Sequence, residues 1–304
     1  MNKEDWLTER FEENRTRLRG VAYRLLGSLS EADDAVQEAW LRLRRIDANT
    51  VENLGGWLTT VVSRVCLDML RGRQLRREES IGGQVVELSA LRALGADPEG
   101  EAVLADSVGV ALLVVLDTLT PAERLAFVLH DLFALPFDEI GSIMGRSQAA
   151  AKQLASRARR RVRGSSARSD AGRVRQREIL DAFLNAARSG DLQGLLAVLD
   201  PDAVLRIDAA ARAAGGGADP DAAVDPGKAR EITGAAQWAP RFITLSRGMR
   251  FVQPALIDGT AGVILAPRGK LARAVIFTFS NDRVTRVEIV ADLARLRDLD
   301  IAVL

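Results

Sequence analysis

Along residues 5–163 the apolar positions recur at the three-and-four spacing of helices with one buried face. Alternating β-branched and aromatic positions become frequent only after about residue 200. The chain therefore changes class midway. Leu18, Val21, Ala22, Leu25 and Leu26 form a first stripe, and Ser30 with Asp33 reads as a capping box opening a helix over 31–44. A loop carrying Asn49, Thr50, Asn53, Gly55 and Gly56 follows. Trp57, Val61, Val65, Leu67 and Leu70 then supply a third stripe ending in Arg71 and Arg73. Gly82, Gly83, Gly95, Pro98 and Gly100 break the period and predict a linker.

A second helical block contains Thr120-Pro121-Ala122-Glu123, which joins an N-cap, a proline at the first helical position and a carboxylate reaching back. That helix is expected to reach about Phe133. Leu135-Pro136 opens a short helix stopped at Met144-Gly145, and Ser147 caps a third helix through Val162, so the spacing predicts a helix-turn-helix. A Ser/Arg/Gly linker over 164–172 leads to helices over 174–188 and 192–199, then a strand over 204–208. An Ala/Gly/Asp/Pro-rich loop over 209–227 and a helix over 229–245 precede strands over 250–257, 261–266, 271–279 and 284–290. Asp258-Gly259 and Asn281-Asp282 fall at the expected turns. Helices first and an antiparallel meander last predict an α+β unit.

A length of 304 residues suits two or three compact units, and 47% hydrophobic with 27% charged residues describes folded protein. The first ten residues are polar and charged, and no later apolar stretch is long enough to cross a bilayer, so a cytoplasmic chain without membrane contact is expected. One cysteine, Cys66, excludes an internal disulfide, and one histidine, His130, leaves too few ligands for a Cys/His zinc site. No metal or cofactor is expected.

The net charge of +1 hides a segregation of sign. Between Arg146 and Arg177 lie Lys152, Arg157, Arg159, Arg160, Arg161, Arg163, Arg168, Arg173 and Arg175 against the single acid Asp170. Such a run seeks a polyanion. On the helix following Ser147, Ala151, Leu154, Ala155, Ala158 and Val162 line one face, while Gln148, Lys152, Gln153, Ser156, Arg159 and Arg160 point away. Such a helix fits the major groove, where Arg or Lys pairs with guanine edges, Gln with adenine, and Ser or Arg with phosphate.

Three ordered segments carry a family resemblance. They are Leu29-Ser30-Glu31-Ala32-Asp33-Asp34-Ala35-Val36-Gln37-Glu38-Ala39-Trp40-Leu41, Gly56-Trp57-Leu58-Thr59-Thr60-Val61-Val62-Ser63-Arg64 with Asp68-Met69-Leu70-Arg71, and Thr120-Pro121-Ala122-Glu123-Arg124-Leu125-Ala126-Phe127-Val128-Leu129. In this order they resemble bacterial RNA-polymerase sigma factors of the extracytoplasmic-function group. Val128-Leu129-His130-Asp131 and Lys152-Gln153-Leu154-Ala155-Ser156-Arg157-Ala158-Arg159 narrow the resemblance to members with a C-terminal SnoaL-like domain. The implied fold is multidomain, with two all-α sigma domains, the second holding the helix-turn-helix, followed by an α+β SnoaL-like cone. The implied boundaries are region two over 1–78, a linker over 79–105, region four over 106–164, a linker over 165–172 and the cone over 173–304.

The resemblance implies promoter-directed initiation, with core RNA polymerase (β′ and β subunits) and promoter DNA as partners. Asp33, Asp34, Gln37 and Glu38 would dock the β′ clamp helices. Asn49, Thr50 and Asn53 would capture an unstacked base of the −10 element, with Arg64, Arg71 and Arg73 on the nearby backbone. Ser147, Gln148, Lys152, Gln153, Ser156, Arg159 and Arg160 would read the −35 element. The chain departs from such relatives at Ile81-Gly82-Gly83-Gln84-Val85, at Ala214-Gly215-Gly216-Gly217-Ala218 and at Val290-Ala291-Asp292-Leu293-Ala294.

Cone folds also host catalysts, so a hydrolase or isomerase with a DNA-binding appendage is the competing reading, and a small-molecule ligand of the C-terminal domain stays open. The cone lacks histidine, however, and His130 reads as a packed or capping residue. Arg206, Asp208 and Glu288 fall on predicted strands, where surface and cavity positions both remain open, whereas Phe277, Phe279, Val287 and Ile289 alternate as core. No catalytic residue is assigned.

Overall fold

The computed structural model describes residues 3–45, 51, 53–79, 109–164, 170–214, 228–246 and 252–304. The linker expected over 79–105 falls almost entirely outside these residues. The described parts of Met1–Gln84 and Val115–Arg161 form one compact unit, and Gly109–Val114 with the described parts of Val162–Leu304 form another.

The first unit begins with α1 (Lys3–Leu26), α2 (Leu29–Leu43) and α3 (Leu54–Glu79). Gly27, at φ 71°, ends α1 in a conformation suited to glycine, and Ser28 accepts from the Glu31 amide at 3.5 Å to cap α2. The cap therefore lies two residues before the expected Ser30 and Asp33 box, because the glycine turn sets where the chain can re-enter a helix. Asn53 caps α3 by accepting from Gly56 N at 2.9 Å, which places Gly55 and Gly56, expected in a loop, inside the first turn. A Cβ on Gly56 would stand 2.9 Å from the Asn53 amide nitrogen, so the cap needs that small residue.

Helices α4 (Val110–Thr118) and α5 (Pro121–Phe127) follow, and Thr120 and Glu123 form the expected reciprocal capping box. The helix does not continue regularly to Phe133. It widens into a π-turn at Val128–Leu132, where His130 Nδ1 lies 2.9 Å from the Leu135 carbonyl and its ring stacks on Phe137 at 3.8 Å. Helices α6 (Phe137–Met144) and α7 (Gln148–Arg163) form the helix-turn-helix. Gly145 takes φ 65° at the end of α6, and Arg146 N donates to the Gly141 carbonyl at 2.8 Å. A Cβ on Gly141 would approach the Arg146 carbonyl to 2.8 Å, so the turn packs directly against that glycine.

The second unit contains α8 (Asp170–Ser189), α9 (Leu192–Val198), β1 (Leu199–Ile207), α10 (Ala209–Ala214), β2 (Arg230–Thr233), α11 (Ala235–Ser246), β3 (Val252–Ile257), β4 (Thr260–Leu265), β5 (Arg273–Ser280), β6 (Arg283–Val290), α12 (Leu293–Asp298) and β7 (Ile301–Ala302). The sheet order is β2-β1-β6-β5-β4-β3-β7. The meander from β3 to β6 is antiparallel as expected, with left-handed turns at Asp258-Gly259 and Asn281-Asp282, but β1 joins β6 in parallel, so the sheet is mixed. Residues 230–233, expected as helix, pair with β1 instead, and Gly234 at φ 94° separates them from α11. Residues 209–214, expected as loop, form α10, while the rest of that loop, with strand positions 250–251, lies outside the described residues.

Phe183, Phe242, Trp238 and Phe277 meet edge-to-face on the inner side of the sheet, and the fully buried Trp238 donates Nε1–H to the Ala203 carbonyl at 2.9 Å. Asp208 holds the sheet's end. Its carboxylate accepts from the amides of Ala211 at 2.6 Å, Ala291 at 2.8 Å and Asp292 at 2.9 Å. It thereby caps α10 and ties β1 to the chain leaving β6. Asp208→Ala would leave three buried or half-buried amides unmet and should cost about 2–4 kcal/mol, lowering the urea midpoint of the C-terminal unit. An unchanged midpoint would contradict the clamp role.

Candidate nucleic-acid interface

The α7 seam is buried through Ala151, Leu154, Ala155 and Ala158, with Val162 half-buried. Ser147 caps the helix, its Oγ accepting from Ala150 N at 3.2 Å. Gln148, Lys152, Gln153, Ser156 and Arg160 are exposed and share the opposite side. Arg159 differs from the other members of that set, being half-buried with Nε 2.6 Å from Asp131. Arg157, omitted from the sequence-derived set, is exposed with its neighbours. The signal for it was available, because 153, 157 and 160 follow one helical face once 154 and 158 are recognised as the seam. Arg161 turns instead toward α5, donating to the Thr118 carbonyl at 3.2 Å beside Glu123.

On α2, Val36, Ala39 and Leu43 are buried, and Asp33, Asp34 and Gln37 are exposed with Glu38 at half exposure. Two of the acids already have partners. Arg19 reaches Asp33 at 2.7 Å and Arg42 reaches Glu38 at 2.9 Å. Exposed pairs of this kind are worth little, so both acids exchange partners cheaply.

The third cluster is divided. Asn49 and Thr50 lie outside the described residues, and Asn53 is the α3 cap. Arg71 sits exposed near Asp68 at 3.7 Å. Arg73 is half-buried, pairs with Glu31 and donates to the Leu26 carbonyl at 2.9 Å, joining α3 to the corner between α1 and α2. Arg64 donates to the Ser142 and Ile143 carbonyls at 3.1 and 3.3 Å, a cation at the C-terminal end of α6.

A buried seam runs through the same unit. Arg124 of α5, only 3% exposed, donates to the Arg24 carbonyl at 3.3 Å and to Asp117 at 3.4 Å. The Arg24 guanidinium lies 5.3 Å from the Phe133 ring, and burial draws its pKa down. Cys66 of α3 is fully buried, and burial pushes its thiol up to about 12 against the opposing pull of Arg124. In the other unit, Glu288 pairs with Arg295 at 2.9 Å and Arg206 at 3.5 Å, so with Asp208 clamped these groups are structural.

Residues 10–76 match the sigma-70 region 2 family and residues 109–162 match sigma-70 region 4. The probable ECF RNA polymerase sigma factor SigI of Mycobacterium tuberculosis is 36% identical over 209 residues, covering 69% of this chain and 72% of that protein. The ECF sigma factor SigJ of the same organism is 41% identical over 204 residues, covering 67% of this chain and 65% of that one. The crystal structure of Mycobacterium tuberculosis SigJ aligns over 95% of this chain and 98% of its own at 31% identity with a TM-score of 0.45. Among the described residues no helix is long and apolar enough to cross a membrane.

With its pKa near 12, the Cys66 thiol is ionised to roughly one part in ten thousand at pH 8. Iodoacetamide should therefore leave it unlabelled in the folded chain, and Arg124→Met, which removes the charge that draws the thiol down, should leave it unlabelled as well while that variant stays folded. Because the folded thiol holds its proton more tightly than the ordinary value of 9.0, its contribution to stability is complete below pH 9.0 and is lost as pH rises toward 12. Rapid labelling of the native chain at pH 8 would contradict this placement.

Proposed function

This chain belongs to the extracytoplasmic-function RNA polymerase sigma factors, and on that premise we propose how its residues divide the work of promoter recognition. Its function is promoter-specific transcription initiation with core RNA polymerase and promoter DNA as partners, and it is not an enzyme. Region two spans 1–78 and region four 106–164, with the C-terminal domain over 173–304 tuning their activity. In region two, Asp33, Asp34, Gln37 and Glu38 dock the β′ clamp helices, and the β subunit completes the polymerase contact. Asn49, Thr50 and Asn53 hold a base of the −10 element while Arg64, Arg71 and Arg73 meet its backbone. In region four, α7 enters the major groove of the −35 element with Ser147, Gln148, Lys152, Gln153, Ser156, Arg159 and Arg160, to which we add Arg157.

The observation that carries this reading is the α7 surface, where cations and amides stand exposed over an alanine-leucine seam in a helix-turn-helix closed by Gly141 and Gly145. Groups so presented can pair with base edges and phosphates without first breaking internal bonds. Arg159, Arg64 and Arg73 are the exceptions, since they must leave Asp131, the α6 carbonyls, and Glu31 with the Leu26 carbonyl respectively before they meet DNA. Their contacts therefore follow a rearrangement within the helical unit, with polymerase docking supplying the exchange of partners.

Full-length protein added to core polymerase should yield run-off transcripts from its own promoters and none from unrelated ones. Lys152→Ala and Arg160→Ala should each cost about 1–3 kcal/mol in −35 binding if they meet bases. If either side chain meets a phosphate instead, its removal should make the slope of log affinity against log salt shallower by about one. Truncation after Gly164 should change transcript yield while keeping promoter choice. Absence of transcripts from every promoter, or affinity unaffected by salt, would overturn the assignment.

A further inference from the structure

On β5 of the C-terminal unit, Arg273, Val275 and Phe277 alternate onto the sheet's inner face, opposite Leu265 and Val263 of β4 and Ile289 and Val287 of β6. They line a cavity of about 40 Å³, open on one side and closed by Phe183 and Ala187 of α8 and Phe242 of α11. By the room one water needs, this holds a group of about three or four heavy atoms, with space for more substance at the mouth. The lining is hydrocarbon apart from two arginines. Arg188 is exposed and donates to the Val252 carbonyl at 3.4 Å, whereas Arg273 is 8% exposed.

Arg273 stands apart from the other buried cations. Arg124 is met by a carbonyl and a carboxylate, and Arg212 donates to the Lys228 carbonyl at 2.8 Å. Among the described residues, Nε and Nη2 of Arg273 have no hydrogen-bond partner, although both are buried. Asp208 contributes to the field at Arg273, but both its oxygens already accept from backbone amides. Nε–H and Nη2–H are the two bonds that point in parallel from one edge of a guanidinium, and that edge receives both oxygens of a carboxylate. The Asp208 charge acts on Arg273 but leaves these two buried donors unmet, which is costly unless something fills the edge.

We propose that this cavity is a binding site for a small monocarboxylate with an apolar body, its two oxygens on Nε and Nη2 of Arg273 and its hydrocarbon against Phe183, Phe242 and Val263. Phosphate fits poorly, because the lining offers one buried cation and, apart from the exposed Arg188, no donors for a third and fourth oxygen. The site lies wholly within the C-terminal unit and its test reads binding, so it stands or falls apart from promoter recognition.

Titration calorimetry of the full-length chain with acetate, butyrate and hexanoate should show affinity rising with chain length. Hexan-1-ol, which keeps the chain and loses the charge, should bind at least about ten-fold more weakly, and inorganic phosphate should give no heat. Arg273→Leu should lose hexanoate binding while melting at the same or a higher temperature, since a buried guanidinium with two unmet donors has been removed. Ala187→Leu, which fills the cavity and leaves Arg273 in place, should lose binding too, so the inference does not depend on one variant folding. Equal binding of hexanoate and hexan-1-ol would overturn the proposal, as would hexanoate binding retained in folded Arg273→Leu or Ala187→Leu, heat with phosphate matching that with hexanoate, or no heat with any carboxylate at millimolar concentration.

Discussion

The helical half of the molecule is organised around one buried charge, the guanidinium of Arg124. Taking such a group out of water costs several kcal/mol unless nearly every donor finds an acceptor. Its acceptors come from separated parts of the chain, the Arg24 carbonyl at the end of α1 and Asp117 on α4. Its charge is also felt by Cys66 on α3. A single residue of α5 therefore ties the end of α1 to Asp117 at the end of α4. Because α5 leads through the π-turn into the helix-turn-helix, the same constraint sets the starting point of α6 and α7. Around it sit smaller restraints of the same kind, with Arg64 capping the end of α6 and Arg24 facing Phe133.

That arrangement separates the cations into two groups with different availability. Lys152, Arg157 and Arg160 extend from an already folded helix into water, and meeting a polyanion only requires counterions to leave. Arg64, Arg73 and Arg159 hold internal bonds, so any contact they make with DNA must exceed what those bonds contribute. The proposed −10 interface is accordingly assembled largely on partner exchange, while the proposed −35 interface is presented ready-made except at Arg159. Exposed pairs such as Arg19 with Asp33 sit between these limits, weak enough to yield to a larger basic surface.

The C-terminal unit resolves a related problem differently. Its polar groups at the sheet's end and outer side are matched, with Asp208 on three amides and Glu288 between Arg206 and Arg295. Carboxylates held in this way are committed to the fold. Arg273 is the departure from this pattern, with two buried donors unmet on a side chain that lines the part of the inner face the aromatic side chains leave unfilled.

Much of this was legible along the chain. The α7 seam, the Thr120–Glu123 box, the two hairpin turns and the ordered sigma motifs are local patterns, written in spacings of three, four or two residues and in turn chemistry that acts within a few positions. Local spacing was enough to specify the change from helices to sheet, the helix-turn-helix and the family motifs. What depends on partners distant in the chain was set only when the chain folded. Residues 230–233 became a strand because β1 offered them hydrogen bonds that outweigh a local helical pattern, and β1 joined β6 in parallel through contacts about eighty residues apart in sequence. On the sequence Asp208 could stand at the surface or in a cavity, but the fold buries it, with two of its three amide donors arriving from residues 291 and 292. Arg273 carried no sequence signal, because unmet donors on a buried arginine are defined by what the fold places around it.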